Sequence, residues 1–264
     1  MKQTSHKHRA RPECDSDPQR ILAPINDWFQ HQGWSPLPFQ KRTWEAHLQG
    51  LSGLIQVPTG SGKTYAAVMG PIAQMLASAN EQAGIRLLYI TPLRALGRDL
   101  AVALQQPIDA MGWPLRVGIR NGDTSSAERS RQIKKPPEIL ITTPESLCVL
   151  LASRHCEALF KTLETVILDE WHELIGSKRG IQAELALSWL RQQRPQLQTW
   201  AISATIGNLE ESARHALGEG CEPCLITGGS HVSPFKVAYY RNCLLYTSDA
   251  ADEGLGVDLG GRRI

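Results

Sequence analysis

The sequence predicts an α/β fold in which a mainly parallel sheet is covered by helices on both faces. Three observations lead to this prediction. Short apolar runs recur along the chain, most of them are rich in Ile, Leu and Val, and helix-like stretches lie between them. Such runs are typical of strands that are buried on both faces. A regular alternation of strand and helix indicates parallel strands joined by helical crossovers.

The predicted strands lie between residues 54 and 203. They are Leu54–Val57, Leu87–Thr91, Leu115–Ile119, Ile139–Thr142, Val166–Leu168 and Trp200–Ser203. Before the last strand, Ile181, Leu185 and Trp189 recur at four-residue spacing with polar residues such as Glu184 between them. This spacing predicts an amphipathic helix that buries the three apolar side chains.

Properties of the whole chain exclude some classes of protein. The chain has 264 residues, of which 42% are hydrophobic and 20% are charged, as in an ordinary globular protein. The net charge is only +2, so any surface that binds nucleic acid must be local. No apolar run approaches the roughly 18 residues of a membrane span. The polar N-terminus also lacks the apolar centre of a signal peptide, so we expect no membrane segment and a cytoplasmic location.

The two ends of the chain differ from its middle. Residues 1–20 are polar and are predicted to be disordered, because they have little apolar material to offset the entropy of ordering. Residues 21–242 form the predicted domain. From Cys243 the sequence matches one reading frame of a transposase-type sequencing adapter. We interpret residues 243–264 as an assembly artefact after a natural protein that stops near Asn242, with a genuine glycine-rich tail as the alternative.

One pair of cysteines has the spacing of half a zinc site. Cys221 and Cys224 are separated by two residues, but a structural zinc ion needs four ligands and no second pair is visible. A turn with two free thiols is the favoured interpretation, and zinc binding is the alternative.

The strongest motif is Val57-Pro-Thr-Gly-Ser-Gly-Lys-Thr64, between a predicted strand and a helix-like run. Its glycines let the backbone approach phosphates, and N–H groups of the loop and of the helix N-terminus point at the anion. Lys63 is predicted to reach the β- and γ-phosphate oxygens, and the Thr64 hydroxyl to bind Mg²⁺. The usual leading glycine is Val57 here, which favours a helicase-like ATPase. The predicted ATP-binding residues are Gln40, Thr59, Gly60, Ser61, Gly62, Lys63 and Thr64.

A second motif, Asp169-Glu-Trp-His172, directly follows a predicted strand. Ligands of open α/β sheets bind at the carboxyl ends of the strands, where this motif falls. Asp169 is predicted to hold Mg²⁺ through water, and Glu170 to orient and deprotonate the attacking water. Together with Lys63 they form the predicted catalytic set.

Two further elements complete the predicted nucleotide site. The residues Ser203, Ala204 and Thr205 follow the last predicted strand and are predicted to link the nucleotide site to movement of nucleic acid, with His172 as their polar partner. The amide of Gln40 can donate and accept in one plane, which matches N6 and N7 of adenine. A helix-starting glutamine with no ligand is the alternative for Gln40.

The motifs in this order resemble those of superfamily 2 DExH helicases, which are built on RecA-like P-loop NTPase domains. Four longer strings resemble the Lhr (large helicase-related) family, most closely the bacterial ligase-associated DEXH box helicases of the DNA damage response. The strings are Thr91-Pro-Leu-Arg-Ala-Leu96, Gly122-Asp-Thr-Ser125, Thr142-Thr-Pro-Glu-Ser-Leu147 and Asp169-Glu-Trp-His-Glu-Leu-Ile-Gly-Ser-Lys-Arg-Gly180. The resemblance covers roughly Trp28 to Arg241.

The resemblance implies ATP and Mg²⁺ as cofactors and a path for nucleic acid across this domain. Its partner would be single-stranded or partly duplex DNA, with RNA–DNA hybrids as an alternative, and the family suggests a link to a DNA ligase and a nuclease. By this likeness, strand phosphates would contact Pro92, Leu93 and Arg94 of motif Ia and Thr143, Pro144 and Glu145 of motif Ib. A local excess of Arg and Lys over residues 116–135 gives partial support, with a solvated basic loop as the alternative for residues 129–135.

The resemblance also predicts what this chain does not carry. Nothing after Thr205 resembles the second RecA-like domain of such motors, which would supply arginine fingers worth roughly 10³–10⁵ in rate in related enzymes. We therefore expect this polypeptide to bind ATP weakly, to hydrolyse it slowly and to unwind nothing. Two rival classes are a P-loop ATPase that is not a motor and a nucleic-acid-binding module with a vestigial ATP site. The Lhr-like strings argue against the first, and the intact P-loop and DEWH residues against the second.

Overall fold

The computed structural model describes residues 17–78, 84–204, 208–218 and 222–228. All of these residues belong to one compact unit, Met1–Gly229. The segment 243–264, which we interpret as adapter-derived, and residues 1–16 of the polar N-terminus lie outside the described residues.

A seven-stranded sheet with a helical layer on each side forms the described part of the chain. The strands are β1 (Gly53–Gln56), β2 (Leu87–Ile90), β3 (Val117–Arg120), β4 (Ile139–Thr142), β5 (Thr165–Leu168), β6 (Gln198–Ser203) and β7 (Cys224–Thr227). The helices are α1 (Pro18–His31), α2 (Pro38–Leu48), α3 (Lys63–Ala77), α4 (Arg94–Met111), α5 (Ser126–Lys134), α6 (Pro144–Leu151), α7 (Cys156–Phe160), α8 (Trp171–Leu174), α9 (Lys178–Gln193) and α10 (Leu209–Leu217).

The strand order is β3-β4-β2-β5-β6-β1-β7, and every neighbouring pair is parallel. The predicted fold class is therefore confirmed, and the six predicted strands differ from the observed ones by at most two residues at either end. Strand β7 was not predicted, since it is short, mostly not buried, and begins at Cys224 within the stretch interpreted as a turn. It pairs with β1 in the register Gly53↔Cys224.

Alternate residues of the central strands enter two separate hydrophobic cores. Ile55, Tyr89 and Ile167 pack against the helices α1 to α4 on one face of the sheet. Leu54, Leu88 and Val166 pack with residues of α6 to α10 on the other face. The prediction of helices on both faces is thus confirmed. Among the helices described, none is both long enough and apolar enough to cross a membrane.

The predicted helix is present as α9, but its predicted buried stripe is wrong for two of the three residues, since only Trp189 packs against the core. Ile181 and Leu185 are 55% and 67% exposed. The buried side of this helix carries Ala183, Leu187 and Leu190 instead. Small residues such as Ala183 let α9 lie close to α6 and the sheet, so the inward face is not the one with the largest apolar side chains.

The N-terminal prediction is wrong for residues 18–20, which form the first turn of α1. Asp17 caps this helix, because its carboxylate accepts a hydrogen bond from the Gln19 N–H at 3.0 Å. Pro18 stands in the first helical position, where its missing N–H costs nothing. The helix then buries Ile25 and Trp28 in the core.

Candidate nucleotide site and nucleic-acid interface

All the predicted motifs lie along one edge of the sheet. Because the strands are parallel, their carboxyl ends meet at this edge. The loops after β1, β5 and β6 carry the predicted nucleotide site. The loops after β2, β3 and β4 carry the segments predicted to face nucleic acid. The fold therefore places the two predicted functions side by side.

The phosphate loop runs from the end of β1 to the start of α3. Gly60 and Gly62 have φ values of +77° and +84°, in the left-handed region that favours glycine. A Cβ atom at residue 62 would lie 2.8 Å from Nε2 of Gln40, so a larger residue would displace that side chain as well as strain the backbone. Lys63 begins α3 and is buried, with N–H groups of the helix start turned towards the loop.

The ammonium of Lys63 forms an ion pair with Oε1 of Glu170. Both side chains are nearly buried, at 9% and 16% exposure. Oε2 of Glu170 lies 3.5 Å from Nδ1 of His172. The backbone of Glu170 also has a φ of +43°. Among the described residues, all others with a positive φ are glycines. The lysine predicted to bind phosphate is thus held by the carboxylate predicted to activate water.

Asp169 lies at the end of β5 between the phosphate loop and β2. Its N–H donates to the carbonyl of Ile90 at 2.8 Å, and its Oδ1 accepts from the N–H of Glu170 at 3.0 Å. Burial, followed by the neighbouring Glu170 carboxylate, raises the pKa of Asp169 from 3.8 to about 6, while Lys63 opposes the shift. An extra positive charge at this point would stabilise the ionised carboxylate.

Replacing Asp169 with Asn is expected to stabilise the chain in the absence of nucleotide. Since the folded pKa lies above the unfolded value, the folded state binds this proton more tightly, and ionisation of Asp169 destabilises the fold progressively from pH 3.8 to about pH 6, with the full effect above that range. The expected gain in unfolding free energy is about 2–3 kcal/mol at pH 7.5, falling by about half at pH 5. Urea denaturation at both pH values measures it. Asp27→Asn, at an exposed position of α1, is the control, and a less stable Asp169→Asn chain at pH 7.5 would contradict the prediction.

The predicted contact between His172 and Ser203, the last residue of β6, is present. Oγ of Ser203 lies 3.0 Å from Nδ1 of His172. Trp171, buried beside it, donates from Nε1 to the carbonyl of Ser212 at 2.9 Å and anchors α8 in the core. Ala204 is half-buried, and Thr205 lies outside the described residues. The role of these residues in coupling stays a prediction.

Gln40 contacts the phosphate loop, which the sequence did not indicate. Its Nε2 donates to the carbonyl of Gly62 at 3.0 Å, and its Oε1 accepts from the N–H of Leu37 at 2.8 Å. The side chain is 3% exposed. The amide therefore braces the loop, while one N–H and one lone pair stay available for a base. Its contact with adenine stays a prediction.

Two buried polar atoms of this site have no hydrogen-bond partner. They are the hydroxyl oxygen of Tyr89 and Oε2 of Glu170. Buried polar atoms are nearly always paired, so these two fit a site that receives further polar groups. With the open glycine loop, Thr64 and two carboxylates, the residues present fit a nucleotide and Mg²⁺.

The loops after β2 and β3 meet at the side chain of Arg94. Its guanidinium is 60% exposed and lies 3.2 Å from Oδ1 of Asp123. Gly122 lies directly beneath it, since a Cβ there would be 2.5 Å from Cζ of Arg94. Leu93 beside it is exposed, whereas Pro92 is buried. Arg98, one turn along α4, is exposed on the same helix.

Arg179 joins the two segments that are predicted to contact strand phosphates, and sequence reasoning missed it. Its Nε lies 2.6 Å from Oε1 of Glu145, and its Nη1 donates to the carbonyl of Pro92 at 3.2 Å. Hydrogen bonds, including those from Thr143 and Arg179, lower the pKa of Glu145 against the effect of burial. Thr143 and Pro144 beside it are buried. The only available signal was the position of Arg179 in the Lhr-like string after DEWH.

Three of the six basic residues over residues 116–135 are used inside the fold, namely Arg116, Arg120 and Arg129, whereas Arg131, Lys134 and Lys135 are exposed. Arg116 pairs with Glu138 at 2.6 Å. Arg129 donates to the carbonyls of Thr124 and Asn121 at 2.9 and 3.1 Å. Residues 129–135 are not a loop, because all of them except Lys135 belong to α5. These two arginines shape the loop after β3, and this weakens the sequence argument that they face nucleic acid. Of the two cysteines with the spacing of half a zinc site, Cys221 lies outside the described residues, and Cys224 is a free thiol, as the favoured interpretation expected, at the start of β7.

Comparison with known families agrees with this geometry. Residues 37–212 match the family described as DEAD/DEAH box helicase. The chain belongs to this family. The matched range begins just before Gln40 and ends within α10, so this DEAD/DEAH box helicase domain includes every predicted site residue.

Several curated relatives of this helicase domain are Lhr proteins. "ATP-dependent helicase Lhr-Core protein 2" of Thermococcus barophilus is 37% identical over 79% of this chain and 26% of its own length. "Lhr helicase/uracil glycosylase" of Escherichia coli is 37% identical over 77% of this chain and 15% of its own length. The chain is thus an Lhr-type superfamily 2 helicase domain that spans about a quarter or less of these two relatives.

A solved structure gives the same result. The structure of Mycobacterium smegmatis helicase Lhr bound to ssDNA and AMP-PNP matches with a TM-score of 0.73 and 34% identity, over 81% of this chain and 28% of that one. The RecA-like fold implied by the motifs is confirmed.

Proposed function

We propose that this chain is the ATP-binding domain of an ATP-dependent helicase or translocase that acts on DNA. The observation that carries the proposal is the shared sheet edge, where the phosphate loop and the DEWH segment lie beside two loops joined through Arg179. A non-motor ATPase requires the phosphate loop and the DEWH segment, but it does not require the two loops that Arg179 joins.

The residues of the nucleotide site divide the chemistry between them. ATP phosphates would lie on the loop of Val57–Thr64, and Mg²⁺ would be held by Thr64 and, through water, by Asp169. When bound, the ion neutralises negative charge on the phosphate oxygens. Lys63 exchanges its contact with Glu170 for those oxygens. The freed carboxylate of Glu170 then accepts a proton from the water that attacks the γ-phosphate.

Single-stranded DNA would pass over the starts of α4 and α6. Arg94 is an exposed charge at this surface, and a phosphate would replace Asp123 as its partner. Arg179 holds the two helix starts at a fixed separation. Contacts of this kind read the backbone rather than the bases, so the proposed binding is independent of sequence and sensitive to salt.

Replacing Arg94 with Ala tests this interface. We expect affinity for single-stranded DNA, measured by fluorescence anisotropy with a non-hydrolysable ATP analogue, to fall about 10-fold. The slope of log affinity against log salt should fall by about 1. Arg154→Ala removes one exposed charge from the loop between α6 and α7, away from the carboxyl edge, and serves as the control. Equal affinities and slopes for all three proteins would reject the interface, and RNA–DNA hybrids in the same assay give the substrate preference.

We further propose a role in DNA repair, a cytoplasmic location and a functional link to a DNA ligase and a nuclease. The support is the likeness of the four strings between Thr91 and Gly180 to ligase-associated helicases. Recovery of both enzymes with a tagged chain from cell extract tests the link, and recovery of neither would reject it.

A further inference from the structure

Tyr89 is a buried side chain that the proposed chemistry leaves without a role. It lies in β2 opposite Ile167 of β5, on the face of the sheet covered by α3. The residue is 0% exposed, and its hydroxyl has no hydrogen-bond partner of ordinary geometry. A core position with no partner for a hydroxyl suits phenylalanine better, because an unpaired buried hydroxyl destabilises the folded state.

The surroundings of this hydroxyl are the two predicted Mg²⁺ ligands. The side chains of Asp169 and Thr64 both lie within interaction distance of this hydroxyl. A phenol carries its proton at neutral pH, so this hydroxyl can donate a hydrogen bond. Asp169 is itself fixed beside β2 through the carbonyl of Ile90.

We propose that Tyr89 is a positioning residue for the Mg²⁺ of the bound nucleotide, and that its hydroxyl joins Thr64 to Asp169. The inference rests on the proposed function. With the nucleotide and Mg²⁺ bound, an ionised Asp169 only accepts hydrogen bonds, so the phenol would donate to Asp169 and accept from Thr64. With its proton directed at Tyr89, Thr64 keeps its own lone pairs for the metal. Partners of this kind orient ligands, and their loss weakens metal binding about 10- to 100-fold.

Tyr89→Phe separates the positioning role from ordinary packing. Loss of the hydroxyl should stabilise the nucleotide-free chain in either case, but only the positioning role predicts weaker binding of Mg²⁺. Without nucleotide, the variant should unfold about 2–4 °C above the wild type, since an unpaired hydroxyl is removed. The Mg²⁺ concentration for half-maximal binding of a fluorescent ATP analogue should rise about 10-fold. Affinity for the analogue in EDTA should not change. Direct titration with Mn²⁺, followed by electron paramagnetic resonance, should show the same loss.

Tyr65→Phe is the matched control. Tyr65 follows Thr64 in α3, but its hydroxyl points away to the carbonyl of Ala103 at 3.4 Å. This variant should keep the Mg²⁺ dependence of the wild type. An unchanged Mg²⁺ midpoint in Tyr89→Phe, or an equal loss of affinity in EDTA, would overturn the inference. A wild-type chain that binds no nucleotide at any Mg²⁺ concentration would instead overturn the proposed function, and the inference with it.

Discussion

Glu170→Gln is expected to reduce ATP hydrolysis by about 10³-fold, because the amide cannot accept the proton of the attacking water. The substitution should not weaken nucleotide binding. The neutral amide carries no charge to hold Lys63, so the ammonium is released towards the phosphates and affinity for ATP should increase. A single-turnover assay with the protein in excess over radiolabelled ATP measures hydrolysis, since we expect turnover by this chain alone to be slow.

A neighbouring glutamate provides the control for that experiment. Glu173 lies in α8, three residues further on, and its side chain is exposed. Glu173→Gln should hydrolyse ATP at the rate of the wild type. Retention of more than about a tenth of the wild-type rate by Glu170→Gln would exclude Glu170 as the general base. Weaker ATP binding by that variant would show that the contact with Lys63 does not compete with nucleotide.

Lys63→Ala is expected to weaken binding of Mg²⁺–ATP by about 100-fold, the loss of two charge-assisted contacts to phosphate oxygens. The variant should also be less stable without nucleotide. Glu170 is 16% exposed and would lose its cation while Asp169 stays beside it. Isothermal titration calorimetry measures the affinity, and thermal unfolding measures the stability.

Lys161→Ala serves as the control for the lysine, because Lys161 is exposed just after α7 and far along the chain from the loop. It should match the wild type in both measurements. Affinity for Mg²⁺–ATP within about threefold of the wild type in Lys63→Ala would remove the lysine from the proposed site.

The positions of six strands and the two nucleotide motifs could be predicted because their signals are local, whereas the order of the strands in the sheet could not. Each buried strand is an apolar run bounded by polar residues, and the phosphate loop and DEWH segment are continuous strings that directly follow such runs. A parallel sheet then brings them to one edge without further information. The contact of His172 with Ser203 followed from this placement.

Features that depend on how distant segments pack could not be predicted. The buried side of α9 is set by close approach to α6, which favours alanine over the larger Ile181 and Leu185. The basic residues of α5 read as a charged surface, whereas Arg129 is used to shape the neighbouring loop. Arg179 gave no local signal, since its partners Pro92 and Glu145 lie 87 and 34 residues away in the chain.

The ion pair between Lys63 and Glu170 makes binding of any anion to the phosphate loop of the nucleotide-free domain less favourable. Any anion that enters the loop must first displace the carboxylate of Glu170 from Lys63. The apparent affinity for the anion is therefore the intrinsic affinity multiplied by the fraction of molecules in which the lysine is free. Orthophosphate and sulfate make few contacts and gain little in that exchange. A triphosphate with its metal gains enough along the whole loop to complete it. The same contact that silences the general base therefore screens the loop against the abundant small anions of the cell.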